Sequence, residues 1–136
     1  MSKECPFCAL EGYEIVACNS LAVAIYDKFP VSPGHILVIP RRHFANYFGA
    51  TDQELRAIDQ LLRRSRTILL REKSPDGFNI GINIGAVAGQ TVFHLHVHLI
   101  PRYVGDHPQP AGGVRHVIPE KGYYPQITKS GLAKME

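Results

Sequence analysis

The run His94-Leu95-His96-Val97-His98-Leu99-Ile100 constrains this chain more than any other stretch, because histidines and apolar residues alternate through it. Alternate residues of a β-strand share a face and stand roughly 6.5–7 Å apart. A strand therefore sets all three imidazoles on one surface and commits Leu95, Val97 and Leu99 to a core on the other. A helix would put His94 beside His98 and turn His96 away. The β-branched and aliphatic partners, with Pro101 ending the run, favour the strand. Imidazole has an ordinary pKa of about 6.5 and acts as nucleophile, acid, base or metal ligand near neutrality. One buried histidine is usually a core residue, but three on one face make a site.

Around that strand the chain reads as α+β. Glu14 to Cys18 and Leu21 to Tyr26 are short β-rich runs about Asn19-Ser20, a hairpin. Val31-Ser32-Pro33-Gly34 is turn chemistry, and His35 to Ile39 is a third strand closed by Pro40. Thr51-Asp52-Gln53-Glu54 has the form of a capping box. The helix after it presents Leu55, Ile58, Leu62, Ser65 and Leu69, widened by Leu61 and Ile68, and leaves Arg56, Arg63, Arg64 and Arg66 largely on a solvated face. Ser74-Pro75-Asp76-Gly77 ends it. Phe78, Ile80, Ile82 and Ile84 alternate with Asn79, Gly81, Asn83 and Gly85, a fourth strand with one small polar face on which a ligand can approach closely. The histidine strand is the fifth. One helix among five mostly sequential strands implies a mostly antiparallel sheet with the helix on one face. Beyond Pro101, Gly and Pro mark an extended, irregular tail.

Composition narrows the partners. A chain of 136 residues makes one compact domain with a core. Met1-Ser2-Lys3-Glu4 does not resemble a signal peptide, and Leu21 to Tyr26 is far too short to span a bilayer. Three cysteines, an odd number, argue against a disulfide framework, so a cytoplasmic protein is expected. A net charge of +3 suits an anionic small molecule, but no dense basic patch points to nucleic acid. Cys18 reads as a core residue. Cys5-Pro6-Phe7-Cys8 is redox-active or metal-binding, and the thioredoxin-like pattern that a redox pair wants does not follow it. Gly89-Gln90-Thr91-Val92 offers backbone N–H groups, an amide and a hydroxyl for phosphate oxygens, although it is no P-loop. Ahead of an imidazole row, it suggests phosphate held against a nitrogen nucleophile.

The run from Gly89 to Arg102 resembles the signature of the histidine triad (HIT) superfamily, and Val31 to Pro40 resembles that family's upstream block. The resemblance covers residues 5 to about 103. Gly89-Gln90-Thr91-Val92 with Pro101-Arg102 is most similar to the fragile-histidine-triad branch, which cleaves dinucleoside polyphosphates. Bacterial members of mixed substrate are also similar, and the nucleoside phosphoramidate hydrolases more distantly so. The resemblance implies a HIT-like catalytic domain at 1–103, a tail at 104–136, and a homodimer joining two five-stranded sheets into a ten-stranded one. It implies that His96 attacks the α-phosphorus to form a nucleotidyl-histidine. His98 and His35 would then bind phosphate oxygens, and Gln90 and Thr91 with Gly89 would hold the phosphate and leaving oxygens. Asp27 would bind the ribose hydroxyls and Asn83 sugar or phosphate, with apolar side chains near Leu21 and Ile36 sandwiching the base. Related proteins complete a cysteine pair with two histidines, which here are His43 and His94. The implied cofactor is thus a structural zinc on Cys5, Cys8, His43 and His94, with no organic cofactor. In the tail, Arg115 or His116 could reach phosphate. Two rivals remain: a nucleotide-binding regulator with little turnover, and a metalloenzyme with a catalytic metal on His94, His96 and His35.

Overall fold

A computed structural model of the chain describes residues 5–125; the polar start Met1–Glu4 and residues 126–136 of the expected tail lie outside them. The chain divides into two units, 1–103 and 104–136. In the first, β1 (Ile15–Cys18), β2 (Ala22–Tyr26), β3 (Ile36–Pro40), β4 (Gly77–Gly81) and β5 (Val97–Arg102) form one sheet in the order β1-β2-β3-β5-β4. Every neighbouring pair is antiparallel. The first hairpin turns as expected: Asn19 Oδ1 accepts from the N–H groups of Leu21 (3.1 Å) and Ala22 (2.9 Å), an Asx-type lock on the bend.

Alternation sorts the strand residues onto two faces. Ala22, Ala24, Ile36, Val38, Val97 and Leu99 pack with the helix α1 (Asp52–Glu72) through Ile58, Leu61 and Leu69. Val23, Ile25, Leu37 and Ile39 point the other way and are covered by Phe7, Leu10 and Tyr13. The sheet centre is therefore buried on both sides, which explains the unbroken apolar run of β3. Cys18, expected in the core, is exposed on the edge strand β1.

Two strands are shorter than their alternation implies. β4 stops at Gly81, and the chain then turns through a 3₁₀ stretch at Ala86–Ala88. β5 begins at Val97, so only His98 of the three histidines lies in the sheet. The β3 ladder ends at Val38↔Val97 and the β4 ladder at Gly81↔His98. Ahead of that point, the Leu95 N–H donates to the Phe44 carbonyl instead (2.8 Å). Leu95, Val97 and Leu99 still bury together as the pattern requires. Pro40 is the last residue of β3, as expected, whereas Pro101 sits inside β5, which runs on to Arg102.

The capping box of α1 is complete, with Glu54 N–H donating to Thr51 Oγ1 (3.1 Å) and Thr51 N–H to Glu54 Oε1 (2.9 Å). The buried stripe runs through Ile58, Leu61, Ser65 and Leu69, with Leu55 and Leu62 as half-buried flanks rather than its centre. Glu54 is buried as well and takes both Nε (3.0 Å) and Nη2 (2.8 Å) of Arg42, which hold its carboxyl down at about 2. The 32–35 turn lies so close to the helix end that a Cβ on Gly34, at φ +90°, would stand 2.7 Å from Leu69 Cδ2.

In the second unit, residues 104–125 are not extended. They wind through 3₁₀ turns at Gly113–Val117 and Pro119–Lys121. Arg115 donates to the carbonyls of Gly122 (3.1 Å) and Lys121 (3.2 Å) and stacks on Tyr124, while His116 donates to Ala111 (2.8 Å). Both side chains expected to reach phosphate are thus spent on local folding. No helix among the described residues is long and apolar enough to cross a membrane.

Among the described residues, Ser65 Oγ is a buried side-chain polar atom with no hydrogen-bond partner. Ser65→Ala removes that desolvated hydroxyl and improves helix propensity, so it should raise stability by about 1 kcal/mol. Urea unfolding of the two proteins measures this, and a loss of stability would show that the hydroxyl is satisfied in solution.

Candidate active site

The histidines gather on the sheet face opposite α1, and backbone groups dictate the tautomer of each. His96 Nδ1 lies 2.8 Å from the His94 carbonyl, which can only accept. His96 therefore carries its proton on Nδ1 and presents a bare Nε2. His94 is set the opposite way: its Nε2–H donates to the Pro40 carbonyl (2.8 Å), leaving the Nδ1 lone pair free of its proton. His35 Nδ1 accepts the Val31 N–H (3.0 Å), so its proton sits on Nε2 and is donated to His98 Nδ1 (2.9 Å). His98 in turn keeps its proton on Nε2. Three chemically identical side chains of one run thus divide between two tautomers, His94 and His98 protonated on Nε2 and His96 on Nδ1.

Burial presses the His98 pKa from 6.5 to about 4, helped by the neighbouring His96 and His35 rings. His35 is also lowered by burial, against a smaller opposing pull from Asp27. Asp27 Oδ2 lies 3.5 Å from His35 Nε2, longer than the His98 contact, so it faces a neutral imidazole N–H rather than an ion-pair partner. Asp27 Oδ1 accepts the Phe29 N–H (2.9 Å), which makes a turn of the chain at the end of β2.

Beside this group stands a second one. The donor atoms of Cys5, Cys8, His43 and His94 all lie within 4.8 Å of one another. Cys5 Sγ is 3.5 Å and Cys8 Sγ 3.6 Å from His94 Nδ1, and His43 Nδ1 is 3.1 Å from both Cys8 Sγ and His94 Nδ1. Corners of a tetrahedral Zn–S/Zn–N site are roughly 3.3–3.8 Å apart. Two thiols and two imidazole nitrogens converging in this way fit a metal ion. The Cys8 thiol is raised by desolvation and then by Cys5, a cost that a cation between the sulfurs reverses. Asp27, His35 and His98 also cluster, but the proton that Val31 forces onto His35 Nε2 occupies the lone pair a metal would need. His43 and His94 therefore group with the two cysteines, and His35 and His98 with Asp27.

The 85–91 loop differs from the expected phosphate cradle. The Gln90 carbonyl accepts the Gly85 N–H (2.8 Å), and its amide donates to the carbonyls of Ala45 (2.7 Å) and Val92 (3.1 Å). The Gly89 and Gln90 N–H groups turn back to Ala86 (3.0 Å) and Gly85 (3.1 Å). Gln90 is a brace, and its amide is fully occupied. Gly89 is needed for its left-handed φ of +101°, Thr91 is exposed, and Asn83 lies half-buried after β4. Ile36, expected against a base, is completely buried under α1, and Leu21 lies at the far hairpin. On the histidine face the rings of Phe7 and Tyr13 stand 6.0 Å apart, with Phe7 5.0 Å from His96. The spacing of Phe7 inside Cys-x-x-Cys was the available signal. On the outer side of Asp27 and His35, a hollow of about 340 Å³ is lined by Glu14, Glu72, Tyr26 and Lys73, and its carboxylates repel a polyanion.

A HIT domain model matches residues 13–105, and the chain belongs to the HIT family. It is 39% identical over 106 residues to a 16.1 kDa HIT-like protein of Mycoplasma pneumoniae, covering 75% of this chain and 74% of that one. It is 37% identical over 95 residues to the asymmetrical bis(5'-nucleosyl)-tetraphosphatase of Schizosaccharomyces pombe, covering 70% of this chain and 52% of that protein. A Zn-bound histidine triad family protein from Mycobacterium smegmatis has the same fold, with TM-score 0.72, 27% identity and coverage of 99% and 97%.

The unfolded chain takes up a proton at His98 near its ordinary 6.5, the folded one only near 4. Stability should therefore fall as pH drops through that window. Urea midpoints at pH 7 and pH 5 read the drop, which should shrink in His98→Asn; an undiminished drop would assign it to other groups.

Proposed function

We propose that this chain is a nucleotide hydrolase or transferase that cleaves at the α-phosphate of a dinucleoside polyphosphate, such as diadenosine tri- or tetraphosphate, through a covalent nucleotidyl-His96. The observation that carries the reading is the bare Nε2 of His96, produced by the 2.8 Å hydrogen bond from Nδ1–H to the His94 carbonyl. In the first step the Nε2 lone pair forms a P–N bond while the P–O bond to the leaving phosphate breaks, its electrons leaving on oxygen. Water then attacks phosphorus, the P–N bond breaks, and the lone pair returns to Nε2 as the water's proton is released. His98 directs its Nε2–H at phosphate oxygens as a neutral donor, and His35 keeps it in that tautomer. Asp27 binds the ribose hydroxyls, and Asn83, Gly89 and Thr91 line the sugar and phosphate path. Gln90 acts through the shape of the 85–91 loop.

The leaving group separates this substrate from a phosphoramidate. With a pKa of about 4, His98 carries no extra proton to give away at neutrality. A phosphate, with a second pKa of about 6, leaves as an anion without one, whereas an amine needs it. The similarity to a bis(5'-nucleosyl)-tetraphosphatase points the same way. We further propose zinc as the ion at Cys5, Cys8, His43 and His94, where it orders the N-terminal segment and leaves no position open for substrate. A homodimer formed through the β4 edge, where Ile80 is exposed, completes the reading.

Mass spectrometry of protein quenched during turnover of diadenosine tri- and tetraphosphate and of an adenosine phosphoramidate tests the chemistry. The expected result is an adenylyl adduct on the peptide holding His96 and faster turnover of the polyphosphates. His96→Ala should abolish turnover while nucleotide binding persists, and retained turnover would sink the covalent route. Faster phosphoramidate turnover would move the assignment to that class, and binding without turnover would make the chain a nucleotide-binding module. Native mass spectrometry should show two chains with one zinc each; a monomer removes the dimer, and an ion-free chain removes the zinc.

A further inference from the structure

Phe7 has no reactive atom, yet it is only 7% exposed and touches both sites. Its ring meets His96 edge-on at 5.0 Å and His94 at 6.3 Å. The hydrogen bond to the His94 carbonyl fixes one atom of the His96 ring. A single hydrogen bond leaves the ring free to swing about that atom, and Nε2 swings with it. His98 limits the swing on one side, its ring centre 5.2 Å away, and Phe7 on another. Phe7 is in turn held by its flanking residues, since Cys5 and Cys8 are both drawn to His94 Nδ1, at 3.5 and 3.6 Å. The Phe7 side chain also packs on Val23, Ile25, Leu37 and Ile39 of the sheet, but its backbone lies in a segment, residues 5–13, that belongs to no strand and gains no ladder hydrogen bonds.

We propose that Phe7 is a positioning residue for the His96 nucleophile, and that the ion-binding cluster keeps Phe7 against that ring by pinning Cys5 and Cys8. Occupancy of the metal site is then felt at Nε2 although the ion touches neither substrate nor His96. Angular error at a nucleophile is expensive, since a misplacement of about 1 Å costs on the order of a hundredfold in rate. The proposal rests on the nucleotidyl-His96 reading only for its kinetic readout.

The test compares wild type, Phe7→Leu and Phe7→Tyr, each loaded with zinc chloride and assayed for metal content. Ring ¹⁵N–¹H NMR of His96 and His98 is recorded with steady-state kinetics on diadenosine tetraphosphate. Phe7→Leu should keep its zinc and its His98 signals while the His96 signals broaden. Its kcat should fall on the order of ten- to a hundredfold with KM within about twofold, and Phe7→Tyr should restore both. Stripping zinc from wild type with EDTA should broaden His96 in the same way. The proposal is overturned by an unchanged His96 spectrum in Phe7→Leu, or by a raised KM at unchanged kcat, which would place the ring against substrate. If the stripped protein unfolds, the Phe7→Leu spectrum decides. If no nucleotide is turned over by wild type, the functional reading fails while the spectra still decide this one.

Discussion

The 2.8 Å hydrogen bond from the Nδ1–H of His96 to the carbonyl of His94 joins everything else in the molecule. One residue, His94, turns its ring to the sulfurs of Cys5 and Cys8 and its carbonyl to the neighbouring imidazole. The same device recurs with the polarity reversed at Val31, whose N–H forces the proton of His35 outward and so decides what His98 offers. Imidazole is symmetric enough to be acceptor or donor at either nitrogen. Peptide groups are not, and the fold uses their fixed polarity to assign roles among like side chains.

Those peptide groups stay in place because the segment between β3 and α1 is tied at every point. Arg42 reaches the Glu54 carboxylate and the Gly49 carbonyl, and its guanidinium covers the Phe44 ring. His43 enters the cysteine–histidine cluster, the Phe44 carbonyl takes the Leu95 N–H, and the Ala45 carbonyl takes the Gln90 amide. Four successive residues thus connect the helix cap, the cluster, the histidine run and the glycine loop. With Glu54 buried but Arg42 half exposed, this ion pair contributes more through geometry than through net energy, because solvent weakens its attraction.

Where residues repeat, the sequence could be read. The alternation at 94–100 predicted which side chains bury, and Leu95, Val97 and Leu99 do. The capping box at Thr51 marked the helix start to the residue. The four-ligand set came from resemblance, and the cysteine pair alone left redox and metal chemistry open. What the pattern could not carry was competition for backbone groups. Alternation continues through His94 and His96, but the strand starts at Val97 because Phe44, distant in sequence, takes the Leu95 N–H. Gln90 looked like a phosphate ligand because its type and place suit one, and only the fold reveals the three backbone groups it already serves. Phe7 has no period of its own, and only its place between two cysteines marks it in the sequence.

The late start of β5 also separates integrity from reactivity. His98 is bound into a sheet ladder and inherits the stiffness of the whole domain. His96, two residues earlier, borrows its stiffness from side-chain neighbours and one carbonyl. The donor therefore goes slack only when the protein unfolds, whereas the acceptor can loosen in a molecule that remains fully folded. Under the nucleotidyl-His96 proposal, a population of this chain can then be intact by every measure of folding and still hold an idle fraction, set by local contacts rather than by the global melting equilibrium.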